Sequence, residues 1–379
     1  MTDTMALKMF LDLGGSGTKG VYWNPWEERF EVLWMEPHVA LMNPEDIKSF
    51  KLGDKLGGRS PETSAYVQVD TQMYAVGMLG RILGGDSGLR NPKKDSLLVK
   101  VLAAIGVVWD RLRRNRYSNQ FYLEIGFLLP LAEYWRHAAT LEQELRAALV
   151  GFSYRGHSLA AKSSRIEGLP EGAGIYIARG RQLLQMGQNP AERVIVIGIL
   201  GHRQASLLTF DHGNPPQRSN SKSDGPGFIR CLEQCVSAEN ADNPDLYEAF
   251  IKGDKHFRIQ GSDELIDLDS KRPFAIRYYQ DEVKKFFKRE LSQKTRYELT
   301  VIGGAVLHSQ SELQHNFFPS LELTERVNWA EEIQDEVTKY LWNENGTPVT
   351  DQLARIRLAD VYGAGRWFVL SKSVNRISA

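Results

Sequence analysis

The stretch Met9–Trp23, MFLDLGGSGTKGVYW, decides the fold. Three apolar residues lead to a lone carboxylate, Asp12. Gly14, Gly15 and Gly17 follow within four positions, then Thr18 and Lys19, and then a second apolar run. Met9–Leu13 reads as a buried strand. Val21–Trp23 begins a second and Phe30–Met35 forms a third, with turn chemistry at Asn24-Pro25. The glycines therefore join two strands. A Walker-type loop or a dinucleotide fingerprint has to open a helix, and GGSGTK is too short for GxxxxGK(S/T), so both are excluded. Backbone N–H groups around glycines can approach phosphate oxygens. Ser16 and Thr18 can add hydroxyl hydrogen bonds, and Lys19 can add charge. Asp12, at the strand end, is placed to hold Mg²⁺ through water, because Mg²⁺ prefers oxygen and keeps much of its hydration shell. The alternative reading is an ordinary glycine hairpin with an exposed lysine.

The chain of 379 residues predicts two domains or one bilobed domain, and its 42% apolar content is enough for a core. Lys+Arg and Asp+Glu both total 47, which argues against broad direct contact with nucleic acid. No apolar run of about 18 residues occurs, and the N-terminus lacks an export pattern. Cys231 and Cys235 stand one turn apart on an expected helix and read as reduced thiols. The expectation is a soluble cytoplasmic protein.

Residues 36–64 are polar and read as an insertion. Ala65–Gly77 returns to strand pattern, and Ser96–Leu112 is a strongly apolar helix with Arg111, Arg113 and Arg114 at its end. Phe121–Leu129 is a strand ended by Pro130, and Thr140–Val150 is a helix with Thr140 and Gln143 in capping-box spacing. Val194–Leu200, VIVIGIL, is a strand buried on both faces, followed by GHRQ and a strand over Ala205–Phe210. Residues 213–227 read as loop, and helices are expected within 227–254 and over 279–291. Leu299–Ile302 is a strand running into Gly303-Gly304-Ala305. Trp329–Trp342 is an acidic helix, and Leu353–Leu370 is a helical region interrupted by Gly363 and Gly365. Strand, glycine turn and strand thus occur near residue 12 and again near residue 201. This weak repeat predicts two similar lobes, each offering a hairpin to a polyphosphate.

DxGxxxTK between two strands resembles the first phosphate loop of the actin, sugar-kinase and seventy-kilodalton-chaperone superfamily. Further stretches resemble plasmid-segregation actins of the ParM/StbA kind. They are Ala75-Val76-Gly77, Gly126–Pro130 with Tyr134, Leu169–Gly174, Gly201-His202-Arg203, Thr300–Ala305 and Arg357–Gly363, in order along the chain. The resemblance implies an α/β, actin-like two-lobed fold, with two duplicated ribonuclease-H-like domains around a nucleotide cleft. The implied lobes are 1–185 (with the 36–64 insertion) and 186–355, with 356–379 returning to the first. It implies ATP or GTP with Mg²⁺, head-to-tail self-assembly into a filament, and a small DNA-binding adaptor as partner. Glu171 is the implied water-orienting carboxylate. Gly201, His202 and Arg203 are the implied second phosphate loop, and Gly303, Gly304 and Ala305 the adenosine loop. There, glycines let the nucleoside approach the backbone and a following helix offers its N-terminus.

One departure stands out. The family's second phosphate loop carries Asp in DxG, and here that position is Ile199; neither Gly198 nor Leu200 is acidic, and the later Asp is Ser206. Either His202 and Arg203 compensate at the phosphates and Asp12 alone supports the metal, or hydrolysis is weakened. Losing one such supporting group typically costs about 10–100-fold. A small-molecule kinase of the same superfamily is the alternative function. It needs a general base near an acceptor hydroxyl, and the region around Phe121–Tyr134 offers only Glu124 and Glu133.

Overall fold

The Met9–Trp23 stretch forms the expected hairpin. β1 (Leu7–Gly14) and β2 (Gly17–Asn24) run antiparallel, with Asp12 opposite Lys19 and Gly14 opposite Gly17. The computed structural model describes residues 6–15, 17–43, 45–46, 48, 60–88, 91–113, 118–238, 240–259, 263–292, 294, 296–323 and 326–371. Ser16, Arg114 and part of the 36–64 insertion (44, 47 and 49–59) therefore lie outside the described residues. By contacts the chain divides into two units, Met1–Ile177 with Ile333–Ala379, and Ala178–Glu332.

The first unit is built on β1. β2 pairs with β3 (Arg29–Met35), which carries the short strand Leu341–Trp342 on its far edge. β4 (Val39–Leu41), β5 (Tyr66–Val69) and β6 (Gln72–Val76) form one end of the sheet. β7 (Gln120–Leu129) lies parallel to β1, β8 (Phe152–Tyr154) is short, and β9 (His157–Pro170) lies parallel to β7. Side chains alternate across β1. Met9, Leu11 and Leu13 join one apolar cluster with helix α1 (Lys94–Arg113). Phe10 points the other way, to Phe368 of the C-terminal helix Gln352–Leu370, with ring centroids 5.5 Å apart. Val101–Asp110 of α1 is buried on every side, as an all-apolar helix requires.

The second unit repeats the plan. β10 (Val194–Leu200) pairs antiparallel with β11 (Gln204–Asp211), which pairs antiparallel with β12 (Lys222–Pro226). Beyond the β13 (His256–Arg258) and β14 (Leu265–Asp267) ribbon, β15 (Tyr297–Ile302) lies parallel to β10, and β16 (Val327–Asn328) parallel to β15. The order β12-β11-β10-β15-β16 has the same strand directions as β3-β2-β1-β7-β9. A duplicated five-stranded unit is what the weak repeat predicted.

Several local expectations fail for physical reasons. Helix α2 spans Leu131–Ala148, starting directly after Pro130, so Thr140 and Gln143 are mid-helix and form no capping box. β12 lies inside the expected 213–227 loop, as an edge strand. Glu331–Tyr340 is helical, but Leu341–Trp342 turns into a strand. The helix Leu268–Leu291 starts eleven residues before the expected 279 and contains Pro273 as its sixth residue, where it removes one intrahelical hydrogen bond. The cysteines are free and buried, but only Cys231 lies on the short helix Ile229–Leu232.

The C-terminal helix is unbroken, and its glycines serve close approach instead of interruption. A Cβ on Gly363 would meet the Gly174 carbonyl oxygen at 2.4 Å, and one on Gly174 would meet the Asp360 carbonyl oxygen at 1.9 Å. Helix α3 (Ala173–Gln185) can therefore begin against the C-terminal helix with backbone touching backbone. Gly174→Ala should lower stability by about 2–3 kcal/mol, the cost of forcing atoms into a filled contact. Urea denaturation of wild type and variant, followed by circular dichroism, checks this.

Candidate active site

β1, β7 and β9 are parallel and end side by side, with Asp12 beside Leu128 and Leu129 beside Pro170. The backbone N–H of Glu171 donates to the Leu129 carbonyl at 2.8 Å, which fixes Glu171 at the same carboxyl-terminal edge as Asp12. Ligands of open α/β sheets bind outside this edge.

Asp12 and Lys19 face each other across the hairpin. The Lys19 ammonium donates to Asp12 Oδ2 at 2.5 Å, and its stem lies over Gly14, whose Cβ would come 3.6 Å from Nζ. A second ammonium arrives from 81 residues away. Lys93 Nζ donates to Asp12 Oδ1 at 2.6 Å and to Glu171 Oε1 at 2.5 Å. All four side chains are largely buried, Glu171 the least so at 23% exposure. Burial by itself would raise the Asp12 carboxyl; the Lys19 and Lys93 ammoniums outweigh it and hold the group well below the usual carboxylate range. Burial likewise opposes charge on Lys93, and Asp12 and Glu171 reverse the balance and keep it cationic.

Lys93 is the residue that sequence reading missed. Its backbone and that of Lys94 are anchored by Glu133, whose two oxygens accept from Lys93 N at 3.1 Å and Lys94 N at 3.0 Å. Glu133 thus caps α1 instead of acting as a base. Glu124 pairs with Lys8 at 3.5 Å, near the starts of β1 and β7. The two carboxylates available to a kinase reading are thereby engaged in structural contacts. A signal for Lys93 existed: Lys93-Lys94 puts positive charge at a helix start, where acids are favoured, so another interaction has to hold it there.

Asp360 completes the cluster. Its oxygens accept from the N–H groups of Gly172 at 2.6 Å, Gly174 at 2.9 Å and Ile175 at 3.2 Å, capping α3 directly after Glu171. Burial pushes its carboxyl up to about 7, opposed by the Gly172 amide and reinforced by the charges of Asp12 and Glu171.

The other expected residues divide. Gly17, at φ +146°, sits against Trp34 and Met35, so a side chain there would be strained. Gly15 lies in the hairpin turn, beside Ser16, which is outside the described residues. Thr18 lies on the opposite face from Lys19 and is wholly buried, its hydroxyl without a hydrogen-bond partner among the described residues, so it is not part of the exposed hairpin surface. In the second unit Gly201-His202-Arg203 forms the β10–β11 turn. The carbonyls of Gly201 and His202 accept from Phe228 N and Ile229 N, both at 3.0 Å. His202 packs its ring edge-on against Tyr247, with centroids 4.9 Å apart, while Arg203 is exposed. His202 is thus engaged in packing within that unit. Gly303, at φ +116°, backs onto Leu200, where a Cβ would come 2.4 Å from the carbonyl oxygen. Ala305 is buried in the apolar core. Gly304–His308 is a 3₁₀ turn in place of the expected helix.

Asp12, expected to hold Mg²⁺ through water, has an ammonium against each of its oxygens in this arrangement. Among the described residues no three His, Cys, Asp or Glu side chains converge as a metal site.

The fold has solved counterparts. The actin-like protein Alp7A superposes with a TM-score of 0.59 at 16% identity, covering 96% of each chain. Bacillus thuringiensis ParM with ATP superposes at 0.60 with 11% identity, covering 96% of this chain and 98% of that one. A 15-stranded ParM filament from Clostridium botulinum superposes at 0.57 with 15% identity, covering 96% and 99%. The chain has the actin-like fold. No protein-family description and no curated protein matches it by sequence. The stretch expected as a first phosphate loop forms the β1–β2 hairpin, and Leu169–Gly174 forms the turn from β9 into α3. No helix among the described residues is long and apolar enough to cross a membrane.

Two outcomes test this electrostatic arrangement. Asp12→Ala takes from the Lys19 ammonium its carboxylate partner and leaves Lys93 with Glu171 alone, and should cost about 3–5 kcal/mol of stability, read as a fall in urea midpoint. For Asp360, the folded state favours the protonated form, so its contribution to stability falls as pH rises from about 4 towards 7 and is level above that. Between pH 5 and pH 8, wild type should lose on the order of 1–2 kcal/mol relative to Asp360→Asn in paired denaturation curves.

Proposed function

We propose that this protein binds a nucleoside triphosphate, ATP or GTP, at the β1–β2 hairpin and polymerises head to tail into filaments. The observation that carries the reading is the cluster at the strand ends. A glycine turn free of bulky side chains stands beside two buried ammoniums, with a carboxylate, Glu171, fixed next to them. Backbone amides and ammonium groups can hold phosphate oxygens, and a positioned carboxylate can orient an attacking water. The full-length likeness to actin-like proteins, one of them solved with ATP and one as a filament, supports both halves of the proposal.

Hydrolysis is proposed to be slow. The stretch from Gly198 to Leu208 carries no acidic residue, and Glu171 is tied to Lys93, which lowers its availability as a free acceptor. The cargo reading is plasmid or other DNA segregation through a small DNA-binding adaptor. Equal numbers of basic and acidic residues support leaving DNA contact to the adaptor.

Light scattering with negative-stain microscopy tests the filament. Purified protein should polymerise on addition of ATP or GTP and remain unassembled without nucleotide. Sugar phosphorylation by protein that never assembles would favour the kinase reading instead. Glu171→Gln should reduce phosphate release by about 10²-fold while nucleotide affinity stays within about threefold. Its filaments should outlast those of wild type after free nucleotide is removed.

A further inference from the structure

The donor count at the strand ends leads beyond nucleotide binding as such. An ammonium has three donors and no acceptor. Lys93 uses one toward Asp12 and one toward Glu171; Lys19 uses one toward Asp12. Each lysine therefore keeps a donor for an incoming anion, while the carboxylates hold both ammoniums in place. Asp12, the one carboxylate of the hairpin, has an ammonium on each oxygen, so its charge is already compensated and a metal shell would have to compete with two built-in cations; no acidic residue lies between Gly198 and Leu208. Two turns further along α1, Lys100 is 3% exposed and has no ion-pair partner among the described residues, which adds positive potential behind Lys93. Its backbone tether to Glu133 fixes where Lys93 starts, so the charge is delivered to one place.

We propose that Lys93 supplies here the charge neutralisation that a protein-anchored divalent metal would otherwise give, so that a nucleoside polyphosphate binds with the ammonium as its cation. The inference rests on the nucleotide reading above. It assigns Lys93 to ligand contact and makes binding largely independent of Mg²⁺. No group is transferred and no bond is broken in this step; the ammonium exchanges part of its hydration for a phosphate oxygen.

The test is a titration of a fluorescent ATP analogue into the full chain, once in Mg²⁺ and once in EDTA, with wild type, Lys93→Met and Lys93→Arg. Circular-dichroism melting establishes that each protein is folded. Wild type should bind in EDTA within about threefold of its affinity in Mg²⁺. Lys93→Met should carry an EDTA penalty at least about tenfold larger than that of wild type, and Lys93→Arg should restore most of the metal-free binding, in the range typical for a group supporting a charged site. A wild-type EDTA penalty equal to that of folded Lys93→Met overturns the inference while leaving nucleotide binding intact. If Lys93→Met does not fold, the wild-type ratio decides: an affinity loss above about tenfold in EDTA overturns the inference, and a smaller loss supports it. Folded wild type that binds in neither medium overturns the nucleotide reading itself and this inference with it.

Discussion

One ammonium, that of Lys93, stands between the two carboxylates on which the site depends. Asp12 ends β1, Glu171 follows β9, and Lys93 precedes α1, so the ion pairs tie three elements far apart in sequence. Buried charges are expensive to desolvate, and attraction between them offsets that cost only when the geometry is close. Contacts of 2.5–2.6 Å on both sides of Lys93 meet that condition. The arrangement is fragile in a specific way: removing any one member leaves a charge in a place where water does not reach it well. Such a cluster is better suited to holding a charged ligand in register than to adding net stability.

A second constraint sits directly behind it. Gly174 and Gly363 bring α3 and the C-terminal helix together at backbone distance, which lets Asp360 cap three amides of α3. The cap fixes the turn that carries Glu171, so a contact near the end of the sequence sets the position of a candidate catalytic carboxylate. The same proximity places Asp360 near Asp12 and Glu171 and helps push its carboxyl up to about 7. Packing and electrostatics are therefore coupled here, because a helix contact loosened by a larger residue would also alter the charge balance beside Glu171.

The hairpin, its repetition near residue 201 and the α1 helix were legible because each rests on local pattern: apolar runs, turn glycines and helical spacing. The seam between α3 and the C-terminal helix was not. Gly363 and Gly365 look like helix breakers in one dimension and act as contact points in three; Gly365 gives way to Val21 just as Gly363 does to Gly174. β9 was missed because HSLAAKSSRIEGLP mixes charged and small residues, and its register shifts where it passes Leu123 and Glu124 of β7. The false capping box at Thr140 had the right letters in the wrong place, since Pro130 had already started the helix at Leu131. For Lys93 the basic pair at a helix start signals only that something holds it; what holds it was illegible, because its partners lie 81 and 78 positions away.

The two hairpins diverge in chemistry while sharing a topology. β1–β2 carries an acid opposite a lysine, whereas β10–β11 at the corresponding turn carries none, and its His202 ring is engaged with Tyr247. Duplication gave two similar backbone frames, but charged side chains were concentrated on the first. The backbone contribution of such a hairpin to anion binding comes from N–H groups and survives this asymmetry. What differs is the acid–lysine pair, present on the first hairpin and absent from the second. With an ammonium on each oxygen of Asp12, positive charge at the strand ends is supplied by side chains of the chain itself. A cation built into the sequence cannot be chelated or exchanged. That makes the charge on Lys93, and the carboxylates that hold it, the element on which the electrostatics of the strand ends turn.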